Sequence, residues 1–189
     1  SGATWSDARI IVPEHGPRNM PVAGVFALRD GTIVLPCDTR AGSTRHEPGT
    51  ALWLSEDGGD TWVDSGGTIA GIHAGVVELG NGDILAFGRG ADIDGKMAQS
   101  VSDDRGATWQ YSRSAFPGGE SAERAVLMRI RGTCAEGADP ILLVAFSNAE
   151  IDAPEAQHVV DATGASRPIK GMYAAVSFDD GATWPYIRP

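Results

Sequence analysis

Cysteine is scarce. The two in 189 residues, Cys37 and Cys134, do not make a disulfide framework. They fall on opposite faces of the domain in the strand layout given below and are expected as free thiols. Basic residues are outnumbered, 15 Lys and Arg against 25 Asp and Glu. The resulting formal net charge of −10 and pI near 4.7 argue against a nucleic-acid partner, because phosphate binding needs a basic face. No apolar run approaches the roughly 20 residues that span a bilayer as a helix. No stretch sustains a 3.6-residue apolar period with caps, so an almost all-β chain is expected. A charged-then-apolar leader is missing, and the opening Ser1-Gly2 reads as a processed, tagged or excised end. Hydrophobic residues make up 42% and charged residues 21%, the balance of a globular chain long enough for one domain, residues 1–189, with a real core.

Glycine is abundant at 25 residues, as many short strands joined by tight turns require. One pattern dominates. Ser55-Glu56-Asp57-Gly58-Gly59-Asp60-Thr61-Trp62 recurs as Ser102-Asp103-Asp104-Arg105-Gly106-Ala107-Thr108-Trp109 and as Ser177-Phe178-Asp179-Asp180-Gly181-Ala182-Thr183-Trp184. The shared form is Ser-x-Asp-x-Gly-x-Thr-Trp, and Gly2-Ala3-Thr4-Trp5 repeats its tail. Each fixed residue suits a tight turn between antiparallel strands. The carboxylate accepts backbone N–H groups, glycine supplies a positive φ, and the Trp ring packs beneath the turn. Trp62, Trp109 and Trp184 are therefore expected to be largely buried.

The four box tryptophans lie 57, 47 and 75 residues apart, a period of the size that gives four strands per repeat with loops of unequal length inserted. The first repeat, residues 20–66, places strands at 22–28, 32–38 and 50–56, with Asp30-Gly31 as a hairpin turn. The second, 72–117, places them at 73–79, 83–88 and 97–102, with Asn81-Gly82 signalling a type I′ hairpin. The third, 123–189, places them at 125–130, 141–146 and 172–177. Residues 6–13 read as an outer strand whose own repeat lacks its first three strands.

The boxes resemble the Asp-box repeat of sialidase-like β-propellers. The resemblance implies an all-β propeller of six blades, of which this chain supplies three four-stranded blades. In that connectivity every box lies at one end of the sheets. The loops from second to third strand, and those entering each inner strand, ring the axis at the other end. Arg18, His73 and Arg124 sit at matching entries to inner strands and are expected to point at a common axis. Arginine there suits bidentate recognition of a carboxylate. Asp38, Arg45 and Arg89 join them as candidate substrate-binding residues. The segment 69–75, Ile-Ala-Gly-Ile-His-Ala-Gly, with Gly88-Arg89-Gly90 after it, looks like a subgroup of bacterial glycan-degrading proteins. Glycoside hydrolysis needs a pair of carboxylates, and Asp92, Asp94 and Glu47 are the candidates, with Glu120 beside them. Asp92-Ile93-Asp94 reads equally as a turn or a weak Ca²⁺ loop. Tyr111 and Tyr173 read as packing residues. No metal-ligand spacing and no cofactor motif stand out.

The resulting expectation is a glycosidase acting on a non-reducing-end, anionic sugar. The alternatives are a non-catalytic glycan-binding module and a structural half-propeller that closes with a second copy. In that last case residues 6–13 would pair beside the third blade of a two-fold partner.

Overall fold

The three boxes fold alike, bond for bond. The Ser hydroxyl donates to the Asp carboxylate in each, Ser55 to Asp57 at 2.9 Å, Ser102 to Asp104 at 2.8 Å and Ser177 to Asp179 at 2.8 Å. The second glycine position donates its N–H back to that hydroxyl at 2.7–2.8 Å. The Thr N–H reaches the same carboxylate at 2.8 Å in all three, and the Thr hydroxyl takes its other oxygen at 2.5–2.6 Å. Two consecutive residues are left-handed in each turn: 58–59, 105–106 and 180–181. The Trp ring N–H closes the box on the glycine carbonyl at 3.1 Å every time. The three rings are half-buried rather than largely buried, because each caps a turn at the end of a sheet.

The protein is described by a computed structural model covering residues 2–10, 16, 18–22, 24–39, 48–118, 124–132, 139–147, 158–160 and 165–188. Among these there is no helix. The first sheet holds β1 (Met20–Pro21) and β2 (Phe26–Ala27), both paired with β3 (Ile33–Asp38), followed by β4 (Gly49–Ser55) and β5 (Val63–Asp64). A short β6 (Ile69–Ala70) pairs the start of β4. The second sheet runs β7 (Ile72–Glu78), β8 (Ile84–Ile93), β9 (Lys96–Ser102) and β10 (Gln110–Pro117). A separate hairpin joins β13 (His158–Val160) to β14 (Ser166–Pro168). The third sheet runs β11 (Val126–Arg129), β12 (Ile141–Ser147), β15 (Gly171–Ser177) and β16 (Tyr186–Arg188). All pairings are antiparallel, and each box joins the third strand of its sheet to the outer one.

Several expectations are corrected. The first inner strand is split into β1 and β2; at the break Val22 N–H donates to Pro36 O, and Pro36 has no N–H to return. Asn81-Gly82 is not a type I′ turn. Leu79 N–H donates to Asp83 O at 2.8 Å and Gly82 N–H to Leu79 O at 3.1 Å, a three-residue loop with Gly82 at φ +96°. The turn at Asp30-Gly31 has the same two bonds, Leu28 to Thr32 and Gly31 to Leu28. Residues 6–10 form no strand and are exposed; residues 11–13 lie outside the described set. Instead Arg9 reaches the first box, donating to Gly59 O at 2.5 Å and pairing with Asp60 at 2.7 Å.

The core lies between sheets rather than within them. Leu28, Val34, Leu52 and Ile69 of the first sheet pack on Ala74, Val76, Ile84 and Ala86 of the second. Val77, Leu85, Phe87 and Phe116 of the second pack on Leu127, Ile141, Leu143 and Tyr173. Phe116 meets Phe87, Tyr173 and Trp184 at ring-centroid distances of 5.8, 5.9 and 5.2 Å. Along β12 burial alternates strictly, so Ile141, Leu143 and Ala145 face the second sheet while Leu142, Val144 and Phe146 face outward. The two junctions also share polar ties at the box end. Arg105 of the second box bonds Glu56 at 2.9 Å and also pairs with Asp30. Asp180, at the same place in the third box, takes Gly80 N–H at 2.9 Å and Arg129 at 2.6 Å. At both junctions the fourth box position reaches the first hairpin turn of the preceding sheet, as a cation at Arg105 and as an anion at Asp180.

Candidate functional site

The strand order places the boxes, with the β2–β3 and β7–β8 turns, at one end of the stack. The C-terminus of β3, the N-terminus of β4, the start of β7 and the entry to β11 lie at the other. At the box end the polar groups are spent on scaffold. Hydrogen bonds from Thr61 hold the Asp57 carboxyl below the usual range, and those from Thr108 and Thr183 do the same for Asp104 and Asp179.

At the box-free end three elements converge on Asp38. This carboxylate ends β3 and is 1% exposed. Its Oδ1 accepts the His73 backbone N–H at 2.8 Å and the Thr50 hydroxyl at 3.0 Å. Thr50 in turn accepts the Ala74 N–H at 3.3 Å. His73 Nδ1 stands 2.7 Å from Asp38 Oδ2. The two are not aligned for a hydrogen bond, and neither atom meets another described hydrogen-bonding group. The approach is a close contact, and it is an ion pair only with the ring doubly protonated. His73 itself is left-handed, with φ +52°, at the irregularity where β7 slips register against β8 between Ile72 and Gly75. That backbone costs a non-glycine residue of the order of 1–3 kcal/mol and persists only where surrounding contacts over-determine it. The ring is about a quarter exposed, with Nδ1 on its buried side.

Two concavities flank His73. A cleft of about 290 Å³ is lined by Pro48, Ala70, Gly71, Ile72, Arg89 and Ala91. Its walls meet through glycines: a Cβ on Gly71 would sit 2.6 Å from Arg89 O, and one on Gly88 would sit 2.1 Å from Ala70 O. The second is a groove of about 650 Å³ between the inner strands β2, β7 and β11, with Val25, Val126 and Met128 on its walls and Arg124 and Arg131 among its lining. Ile72 lines the cleft and Ala74 the groove, so His73 stands between them along β7.

The sequence candidates separate into three groups. Asp38 and His73 are brought together, Arg89 lines the adjoining cleft, and Arg124 is exposed in the groove with no partner among the described residues. Arg18 is not with them. Its guanidinium takes both oxygens of Asp64 at 2.7 and 3.1 Å, Thr68 at 2.8 Å and Gly67 O at 2.6 Å, on the outer side of the first sheet. The common axis expected for Arg18, His73 and Arg124 is thus corrected: an arginine beside an outer strand with a carboxylate is drawn into the scaffold. Asp92 and Asp94 fall in a turn, one of the readings open for Asp92-Ile93-Asp94. β8 and β9 pair up to Ile93 and Lys96, and Asp94-Gly95 is the two-residue turn, both left-handed at φ +52° and +74°. Asp92 accepts the Gly95 N–H at 2.9 Å, so the pair builds a hairpin tip. Glu47, Arg45, Glu120 and Cys134 lie outside the described residues. Cys37 is a buried free thiol, pushed up to about 12 by desolvation. Tyr111 donates to Thr68 O at 2.6 Å, and Tyr173 is buried in the second junction, its hydroxyl pushed up by desolvation. Among the described residues no three His, Cys, Asp or Glu side chains gather as metal ligands. Sequence reasoning missed the strain at His73; a histidine between Gly71 and Gly75 gave no signal that the histidine would take the left-handed position.

Box-bearing antiparallel sheets stacked in chain order define a sialidase-like β-propeller type of protein. The sequence matches the family model of the BNR repeat-like domain over residues 1–187, and the chain belongs to that family. No curated protein matches it. Among solved structures it is similar to a protein of unknown function from Dyadobacter fermentans DSM 18053, with 18% identity and a TM-score of 0.54 over 87% of this chain and 39% of that one. The chain spans about two fifths of that protein's length, and the likeness is one of fold.

Proposed function

We propose that this chain carries part of a glycan-processing site of the sialidase-like class, acting on an anionic sugar at a non-reducing end. The observation that carries the reading is Arg124. Its guanidinium is exposed, unpartnered among the described residues, and lines a groove of ligand size with apolar walls. A sugar carboxylate is the planar acceptor such a fork takes in bidentate fashion, while the apolar walls suit the carbon face of a pyranose ring. Arg89 and His73 stand at the neighbouring cleft, on the end that the boxes leave free.

The test is binding and release. Calorimetry with 3′-sialyllactose and glucuronic acid measures affinity, and 4-methylumbelliferyl α-sialoside and β-glucuronide report cleavage. Arg124→Ala is expected to weaken binding by about 1.5–3 kcal/mol, the worth of a hydrogen bond to a charged group. Binding without release makes the chain a glycan-binding module. Neither binding nor release, or an Arg124→Ala variant that binds as well as the parent, overturns the reading.

A further inference from the structure

We propose that His73 is the proton-transfer residue of this site and Asp38 its positioning residue, an assignment that rests on the glycan reading above. Three observations carry it. The first is the backbone. A left-handed residue in a strand suits glycine, yet a histidine occupies φ +52°, held there by its own N–H on Asp38 Oδ1 and by Ala74 N–H on Thr50. The ring is about a quarter exposed. The second is the carboxylate. Asp38 is buried, and among the described residues the one basic side chain against it is His73, with Nδ1 at 2.7 Å from Oδ2. A buried carboxylate against Nδ1 confines that side of the ring, leaving Nε2 as the nitrogen on the exposed side. The third is placement. The neighbour before His73, Ile72, lines the cleft that holds Arg89, the neighbour after it, Ala74, lines the groove that holds Arg124, and the close glycine approaches at 71 and 88 fix the cleft walls.

The step balances with water alone. The imidazolium Nε2–H gives its proton to the bridging glycosidic oxygen as the anomeric C–O bond breaks and its electron pair passes to that oxygen. Water adds to the anomeric carbon and loses a proton to the neutral Nε2, which restores the imidazolium. Among the described residues, the titratable group that meets the His73 ring is Asp38 of β3, while Arg89 of β8 stands in register with the preceding Ile72.

His73→Gly is the variant of choice, because glycine accepts the left-handed backbone and the chain can keep its fold. On 3′-sialyllactose, whose sugar leaving group must be protonated, kcat is expected to fall by about 10²–10⁴-fold, the range for a lost general acid. On 4-methylumbelliferyl α-sialoside, whose phenolate leaves with little help, the loss is expected to be far smaller. Free imidazole is expected to restore cleavage of sialyllactose by His73→Gly and not to speed the parent. Asp38→Asn is expected to lower kcat with KM little changed. Equal losses on the two substrates, failure of imidazole to rescue, or full activity in His73→Gly each overturn the assignment. A parent chain that binds sialyllactose and cleaves neither substrate also overturns it and leaves glycan binding standing. A parent that binds neither removes the glycan reading and the assignment together.

Discussion

Gly88→Ala probes the wall that joins the first two sheets at the site. Gly88 lies in β8, behind the β6–β7 step. A Cβ there would lie 2.1 Å from Ala70 O and 2.8 Å from both Gly71 C and Gly71 O. All three are backbone atoms, so no side chain can rotate away. Ordinary contact begins at 3.4 Å, so β8 and the β6–β7 step must part by more than an ångström. That movement also strains the Ala70 N–H bond to Ser100 Oγ, now 3.2 Å. Overpacking costs about 1–3 kcal/mol, and an immovable backbone puts this case at the top, about 3 kcal/mol. Gly90→Ala is the control. Its Cβ would meet nothing within 4 Å, but its φ is +80°, a left-handed strain of about 1–2 kcal/mol. Urea unfolding of the three proteins gives the comparison, and the melting temperature should fall by about 2–4 °C per kcal/mol for a chain of this size. A Gly88→Ala variant no less stable than Gly90→Ala would refute the reasoning, because the clash would then be relieved at no cost.

The other predictions follow from the same contacts. Phe116→Ala, from a fully buried ring touching three other aromatics, should cost about 3–5 kcal/mol in urea unfolding, and the half-buried Trp109→Ala should cost less; the reverse order would count against the inter-sheet core. The box carboxyls of Asp57, Asp104 and Asp179 are lowered in the folded chain, so their contribution is complete above the unfolded value near 4 and is lost as pH falls below it. Mutating all three to Asn should flatten the stability–pH curve below about pH 4, and an unchanged slope there would tell against the box bonding. Arg18→Ala should lower stability by about 1–3 kcal/mol through the stranded Asp64, with sugar affinity measured by calorimetry unchanged. We propose that the outward face of the third sheet, with Phe146, Met172 and Tyr186, drives two-fold association. Light scattering should then give more than 19.7 kDa at micromolar concentration, falling to the monomer mass in Met172→Lys.

Sequence alone determined the boxes. Ser, Asp, Gly, Thr and Trp at fixed spacing make the same set of bonds to one another in all three boxes, so their geometry is set locally and repeats along the chain. The all-β class and the strands that follow each box were legible for the same reason. Residues 141–146 are apolar at every position, so the sequence did not show which of them face a neighbour; that alternation belongs to the fold. Turn type was less legible: Asn-Gly permits a two-residue turn, but register with the partner strand chose a three-residue loop at 80–82. The Asp-Gly pair that did become a two-residue turn, 94–95, lay where a loop was expected, since β8 and β9 found partners to their tips. Tertiary structure decided the site. Arg18, His73 and Arg124 occupy matching places in the chain, yet Asp64 lies 46 residues from Arg18 and captures it. Asp38 lies 35 residues from His73 and locks it in a left-handed backbone. A charge takes the partner that folding brings within 3 Å, and no spacing along the chain records which partner that is.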